Sequence, residues 1–382
     1  MKNLILVAAD SFKGSLSSSE VADACREAVR AVLPDAEVRC FALADGGEGS
    51  VDAIRRAIGG RSRDILVTGP LGDPVRASYL ISTDGTTAFI EMAAAAGLTL
   101  VPPGRRNPLL TTTYGVGELI ADARACGCRR FVIGIGGSAT NDGGTGMLEA
   151  LGFRFLDAGG RELASCGRIL GQIARIEIPA DAVRPGEEFI VMCDVDNPLT
   201  GPHGASAVFG PQKGADSAMV AELDRGMRNY ARVIRRMDLE DIENTPGAGA
   251  AGGLGAAFRA FLGARLCPGV DVILELNGFD RALADASLVI TGEGSVDAQT
   301  LRGKAPAGVL RAASRRGVPV IAIAGNVSSA RALNDAGFLA VLPVVPGPCS
   351  LSDAMRLPVA RANVVRTVVQ ALRLWSFGQS FT

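Results

Sequence analysis

Unbroken apolar runs, rather than alternating ones, mark both ends of the chain. LILVAAD, from Leu4 to Asp10, is apolar without alternation and predicts a parallel strand buried on both faces. The period then changes: Val21, Cys25, Ala28, Val29 and Val32 recur at helical spacing and predict a helix over 19–32. Ser17 or Ser18 supplies its N-cap and Pro34 its stop. A second strand is expected over 37–44, then a helix to Ile58 closed by Gly59 and Gly60. From Ala284 the same alternation returns. ASLVITGEG, VPVIAIAG and LAVLPVV read as strands, with helices over 306–316, 329–336 and 353–374.

The middle of the chain reads differently. The stretches 75–81 and 87–91 flank Thr83-Asp84-Gly85, a hairpin signal. A helix over 115–125 precedes the strand RFVIGIG, which runs into GSATNDGGTG. Short strands FRFLD and EFIVMCD follow, and GAGAAGGLG (247–255) reads as a pliable loop. The terminal strands need parallel partners, and each end of the chain supplies them to the other. The predicted fold is therefore α/β: a discontinuous Rossmann-like parallel-sheet domain from 1–66 and 284–382, with an inserted α/β domain over 67–283. The active-site cleft is expected between the two, at strand C-termini.

Composition narrows the function. A chain of 382 residues, 48% hydrophobic, is long enough for two cores. Net charge of −1 provides no basic footprint for nucleic acid, and 5% aromatics provide few stacking platforms. The eight cysteines include no CxxC pair, which fits free thiols in a reducing compartment better than zinc. The N-terminus reads as no signal peptide and no stretch is apolar enough to span a bilayer, so a cytoplasmic location is expected. Oligomeric state is left open, a homodimer being admissible.

The heptapeptide GEGSVDA occurs at 47–53 and again at 292–298. Each copy follows an apolar run and reads as a glycine turn carrying acids, so one site built from both ends of the chain is expected, with both turns at one edge of the sheet. With 48 glycines, the identity itself is partly compositional. GIGGSATNDGGTG (134–146) is the strongest local signal. Its glycines admit close approach of an anion to backbone N–H groups before a helix N-terminus. Gly134, Gly136 and Ala139 also fit a loose dinucleotide fingerprint, with Asp157 at ribose-acid spacing. Gly303-Lys304 does not complete a Walker A sequence. Lys13, in the loop after the first strand, is a point charge suited to phosphate. Asp45, Asp194, Glu293 and Asp297 lie at strand ends, where acids bind Mg2+ or accept a hydroxyl proton, although Asp297 equally suits a helix cap. His203, the single histidine, has no GxSxG elbow and reads as structural. Arg105 reads as a surface residue and Trp375 as packing.

DSFKGSLS, ADGGEG, RNPLLTTTYGVGELI, GIGGSATNDGG, CDVDNPLTGPHGA, VFGPQKGA and TGEGSVDAQTLRGKAPAGV together resemble the type 1 glycerate kinase family, in family order along nearly the whole chain. The resemblance implies the split Rossmann-like architecture, ATP and Mg2+, and phosphorylation of D-glycerate, in a branch associated with 2-phosphoglycerate. On that reading, residue type and position suggest the roles. Gly136, Gly137 and Ser138 hold phosphates, with Lys13 and Lys304 as cations. Asn141, Asp142 and Asn197 orient nucleotide or substrate. Asp194 or Asp297 holds Mg2+, with Glu293 as a partner. Asp45 or Asp194 accepts the hydroxyl proton, and Arg106, beside Ser11, holds the glycerate carboxylate. The alternatives are a glycerate 3-kinase, a dinucleotide-dependent oxidoreductase and a non-catalytic sugar-acid binding protein.

Overall fold

A computed structural model describes residues 4–41, 43, 54–55 and 59–379. It divides into two compact units, one formed by 1–45 with 270–382 and the other by 46–269. The boundaries therefore fall at 45 and 270 rather than at the expected 66 and 284. The first shift follows from residues 61–68, which form a strand of the second unit's sheet.

The first unit holds a five-stranded sheet. Its strands are β1 (Leu4–Ala9), β2 (Glu37–Cys40), β11 (Ala286–Val296), β12 (Val320–Val327) and β13 (Ala340–Pro343), in the order β13-β12-β11-β1-β2. All four pairings are parallel. Every residue of β1 is buried, as an unbroken apolar run requires when both faces are covered. Ile5, Val7 and Ala9 share a core with Val21, Cys25, Ala28 and Val29 of the helix Ser18–Val32 and with Val364, Val368 and Leu372 of the helix Leu357–Gln379. Ser17 caps the first of these helices through a reciprocal capping box with Glu20.

From β1 the chain runs outward to β2 on one side, while β11, β12 and β13 run outward on the other. The C-terminal ends of β1 and β11 thus form the topological switch point of this sheet. The second GEGSVDA does not begin as a turn. Gly292–Val296 continues β11, which stays paired with β12 as far as Val296 opposite Val327. The turn comes only at Asp297. The first copy, with Asp45, lies outside the described residues, so the shared-edge expectation for the two copies falls there too.

The second unit carries a six-stranded mixed sheet. It comprises β3 (Arg61–Thr68), β4 (Pro74–Ile81), β5 (Thr87–Glu91), β6 (Arg130–Gly134), β9 (Glu188–Met192) and β10 (Arg265–Cys267), in the order β10-β9-β6-β5-β4-β3. The strands β3, β4 and β5 pair antiparallel; β5, β6, β9 and β10 pair parallel. The β4–β5 hairpin turns where Asp84 accepts hydrogen bonds from Ser82 Oγ, Thr86 N–H and Thr86 Oγ, which hold its carboxyl below the usual range. Two short strands, β7 (Arg154–Leu156) and β8 (Arg175–Glu177), form a separate antiparallel pair.

The GAGAAGGLG segment is no pliable loop. It enters the buried helix Ala250–Leu262 through three consecutive left-handed residues, Ala251, Gly252 and Gly253. A Cβ on Gly252 would overlap the Thr140 carbonyl and sit 2.5 Å from Asn141 Cα. The Gly143 N–H donates to Gly252 O at 2.9 Å. This segment is the rigid floor beneath the 138–143 loop.

Candidate active site

In the second unit, β6 delivers the chain to Gly134 beside β5 and β9, at the parallel end of the sheet. The loop that follows is fastened from one side: Leu98 N–H donates to Gly137 O and Ala139 N–H to Ala96 O. Gly136 and Gly137 are left exposed while 138–148 are buried. Glycine backbone accessible at a strand end suits an anion.

Asp142 has an internal job. Its carboxylate is fully buried and accepts from Thr113 N–H and Oγ, Gly144 N–H and Gly146 N–H. Burial raises its pKa above the ordinary value, against those donors. It pins the loop from inside. Asn141, also fully buried, donates through Nδ2 to Ser206 Oγ at 3.0 Å. Its Oδ1 and the Oγ1 of Thr140 are buried without a partner among the described residues. Such open valences mark a place where something outside the chain completes the hydrogen bonding.

Lys213 is the residue that sequence reasoning missed. It is 2% exposed, and its Nζ donates to Ser138 Oγ and to the Thr140 carbonyl, each at 2.6 Å. Burial pushes its ammonium down to about 7, with the Asp142 charge opposing. Its neighbour Gly214 lies so close to Arg106 that a Cβ there would be 2.5 Å from the Arg106 carbonyl. Arg106 Nε is buried and unpaired among the described residues. Arg105 instead lies 3.6 Å from Asp73 at the surface. Asn197 donates to His203 O, and its own carbonyl accepts from Gly249 N–H, so it braces two loops. Asp194 is exposed and accepts from Gly269 N–H at 2.9 Å.

The dinucleotide alternative fails here for a topological reason. The helix after the glycine loop has six residues, Thr145–Ala150, and the next strand, β7, pairs with β8 outside the six-stranded sheet. The chain rejoins the six-stranded sheet only at β9, and Asp157 binds its own turn at Gly159 and Arg161.

In the first unit the candidates gather at the switch point. Glu293, in β11, accepts from the buried Thr300 hydroxyl at 2.8 Å, and Lys304 Nζ lies 3.6 Å away. Burial raises the Glu293 carboxyl; Thr300 and Lys304 lower it, and the Asp10 charge raises it further. Asp10, unselected in the sequence, thus acts on the same site from the end of β1. Its carboxylate also accepts from Ser11 N–H. Lys13 is exposed on the same loop. Asp297 caps the turn Ala298–Arg302, accepting from Gln299 and Thr300 N–H. Among the described residues no group of three or more His, Cys, Asp or Glu gathers as a metal cage.

A family model described as the glycerate kinase family matches residues 5–376. The chain belongs to the glycerate kinase family. It is 49% identical over 352 residues to a glycerate kinase of Bacillus subtilis (strain 168), covering 92% of each chain. It is 48% identical over 376 residues to the glycerate 2-kinase of Escherichia coli (strain K12), covering 97% of this chain and 99% of that one. A crystal structure from Salmonella typhimurium LT2, provisionally assigned as glycerate kinase 2, matches with TM-score 0.83 at 47% identity over the whole of both chains. The activity is that of a glycerate kinase, a phosphotransferase that uses ATP as a substrate. No helix among the described residues is long and apolar enough to cross a membrane. In the sequence Lys213 stands in FGPQKGA, between a proline and a glycine. Nothing local distinguishes such a lysine from a solvated one.

Proposed function

We propose that this glycerate kinase transfers the γ-phosphoryl group of MgATP to the 2-hydroxyl of D-glycerate, giving 2-phospho-D-glycerate and ADP. The observation that carries the phosphate site is the 136–141 loop, with exposed glycine backbone beside buried, unsatisfied polar groups. The name of the Escherichia coli relative supports the 2-position. Eight free thiols suit a reducing cytoplasm.

Phosphoryl transfer asks a protein mainly for positioning and charge neutralisation. In this reading Gly136, Gly137 and Ser138 receive phosphate oxygens, and Arg106 receives the glycerate carboxylate. Asn197 braces the loops around them. Asp10 and Glu293 fit a hard divalent cation, because two carboxylates that raise each other's cost of ionising are relieved by one. Bound Mg2+ supplies charge neutralisation at the transferred group. Lys13 and Lys304 place further positive charge from the first unit. Asp194 or Asp45 accepts the hydroxyl proton.

Phosphorus NMR of a mixture with D-glycerate, MgCl2 and ATP tests the proposal. A 2-phosphate signal with ADP is expected; a 3-phosphate signal would overturn the regiochemistry. Lys13→Ala should lower kcat by about a hundred-fold or more with no shift in unfolding midpoint, because the side chain is exposed. Near-normal turnover in that variant would remove Lys13 from the site.

A further inference from the structure

We propose that Lys213 is a positioning residue that commits the Ser138 hydroxyl to donate its proton to a phosphate oxygen of bound nucleotide. The inference rests on the reading of the 136–141 loop as the phosphate site. It starts from what an ammonium can do: it carries three protons and accepts nothing. Two of those protons go to Ser138 Oγ and to the Thr140 carbonyl, both at 2.6 Å. Ser138 therefore spends a lone pair on Lys213, and its own proton cannot point there. Among the described residues Ser138 Oγ has no other partner. The serine is 7% exposed, so this is a nearly buried hydroxyl with an unspent donor. Thr140 Oγ1 and Asn141 Oδ1, on the same short stretch, are buried and unpartnered too. Exposed Gly136 and Gly137 adjoin them. A donor left over beside accessible backbone amides calls for an acceptor with several lone pairs, which a phosphate provides.

The commitment depends on charge. A neutral amine has a lone pair and can accept the Ser138 proton, withdrawing it from the ligand. Burial brings the Lys213 ammonium to about 7, so both forms are populated near neutral pH. Asp142, buried on the same loop, acts on Lys213 through its charge. Tyr230, from the helix Ser217–Arg235, is a buried phenol held well above its ordinary value. Arg106 packs its backbone on Gly214.

Calorimetric titration with ADP, from about pH 6 to about pH 9, with parallel steady-state kinetics, tests this. Ser138→Ala and Lys213→Met should each weaken ADP binding by about ten-fold, and the double variant should be no weaker than either single one. Wild-type affinity should fall as pH rises through about 7, Lys213→Met should show no such limb, and Lys213→Arg should keep the acid-side affinity to higher pH. Where the Lys213 variants do not fold, Ser138→Ala and the wild-type titration decide. Additive losses, a wild-type pH limb surviving in Lys213→Met, unchanged ADP binding in Ser138→Ala, or a rise confined to the glycerate KM would each overturn the proposal. Failure of the functional reading looks different: wild-type protein that neither binds ADP nor phosphorylates glycerate, which removes this inference with it.

Discussion

Gly252→Ala should abolish most turnover, by about a hundred-fold or more, and destabilise the protein by about 3 kcal/mol. Two costs combine. Gly252 has φ of +68°, where an L-residue is strained by roughly 1–2 kcal/mol. The added methyl would also overlap the Thr140 carbonyl and lie 2.5 Å from Asn141 Cα, both of them backbone atoms of the 138–143 loop. Backbone in a buried loop does not step aside cheaply, and Gly143 is tied to Gly252 O at 2.9 Å. Relief has to come from moving the 140–143 segment, which carries Asn141 and the Thr140 carbonyl that holds Lys213. Gly263→Ala is the control. It caps the same helix at φ of +61° with nothing within 4 Å of a Cβ, so it should show the strain alone, about 1 kcal/mol, and keep its activity. Measured kcat and denaturant midpoints for the pair separate the two costs. Full turnover in Gly252→Ala would mean that this loop is not held where catalysis needs it.

Elements set by local chemistry were legible in the sequence. The strand β1 announced burial on both faces by lacking any alternation, and Thr83-Asp84-Gly85 announced the hairpin in which Asp84 accepts from Ser82 and Thr86. Other features depend on groups distant in the chain, and those misled. Glycines at 292 and 294 read as a turn, yet Gly292 sits in a parallel strand pressed against Ile323 O, where only a missing side chain permits the contact. The 247–255 glycines read as pliable for the same reason: Gly252 and Gly253 are constrained by the 140–143 backbone, not by their own sequence. Asp142 and Asn141 are adjacent and equally polar, but one faces four protein donors and the other keeps an oxygen unspent. Lys213 contacts a loop some seventy residues earlier in the chain, and no local pattern anticipates that. Candidate acids at strand ends were found as a class; which of them cap a turn and which lie beside a lysine depended on tertiary partners.

Glu293→Gln should lower kcat by roughly a hundred-fold or more while leaving the folded protein as stable as wild type at neutral pH, or more so. The side chain is 13% exposed, and burial raises its pKa, with Asp10 adding to the effect. The folded chain therefore holds that proton more tightly than the unfolded chain does. Between the ordinary carboxylate value and the raised one, the unfolded state binds fewer protons, so stability falls as pH rises through that window. Ionised Glu293 is a standing cost to the fold at neutral pH. Glutamine keeps an oxygen to accept from Thr300 and carries no charge to desolvate, so it escapes that cost. The stability advantage of the variant should widen as pH rises through the raised value and vanish in acid, below the ordinary carboxylate range. Unfolding midpoints across pH, measured beside kcat, test both halves. A variant less stable at every pH would make Glu293 a structural partner of Thr300 and Lys304. A variant that stays active would show that the charge kept at the end of β11 does not serve the reaction. Lost activity with retained or increased stability is the expected signature of a carboxylate whose ionisation the fold tolerates because phosphoryl transfer uses it.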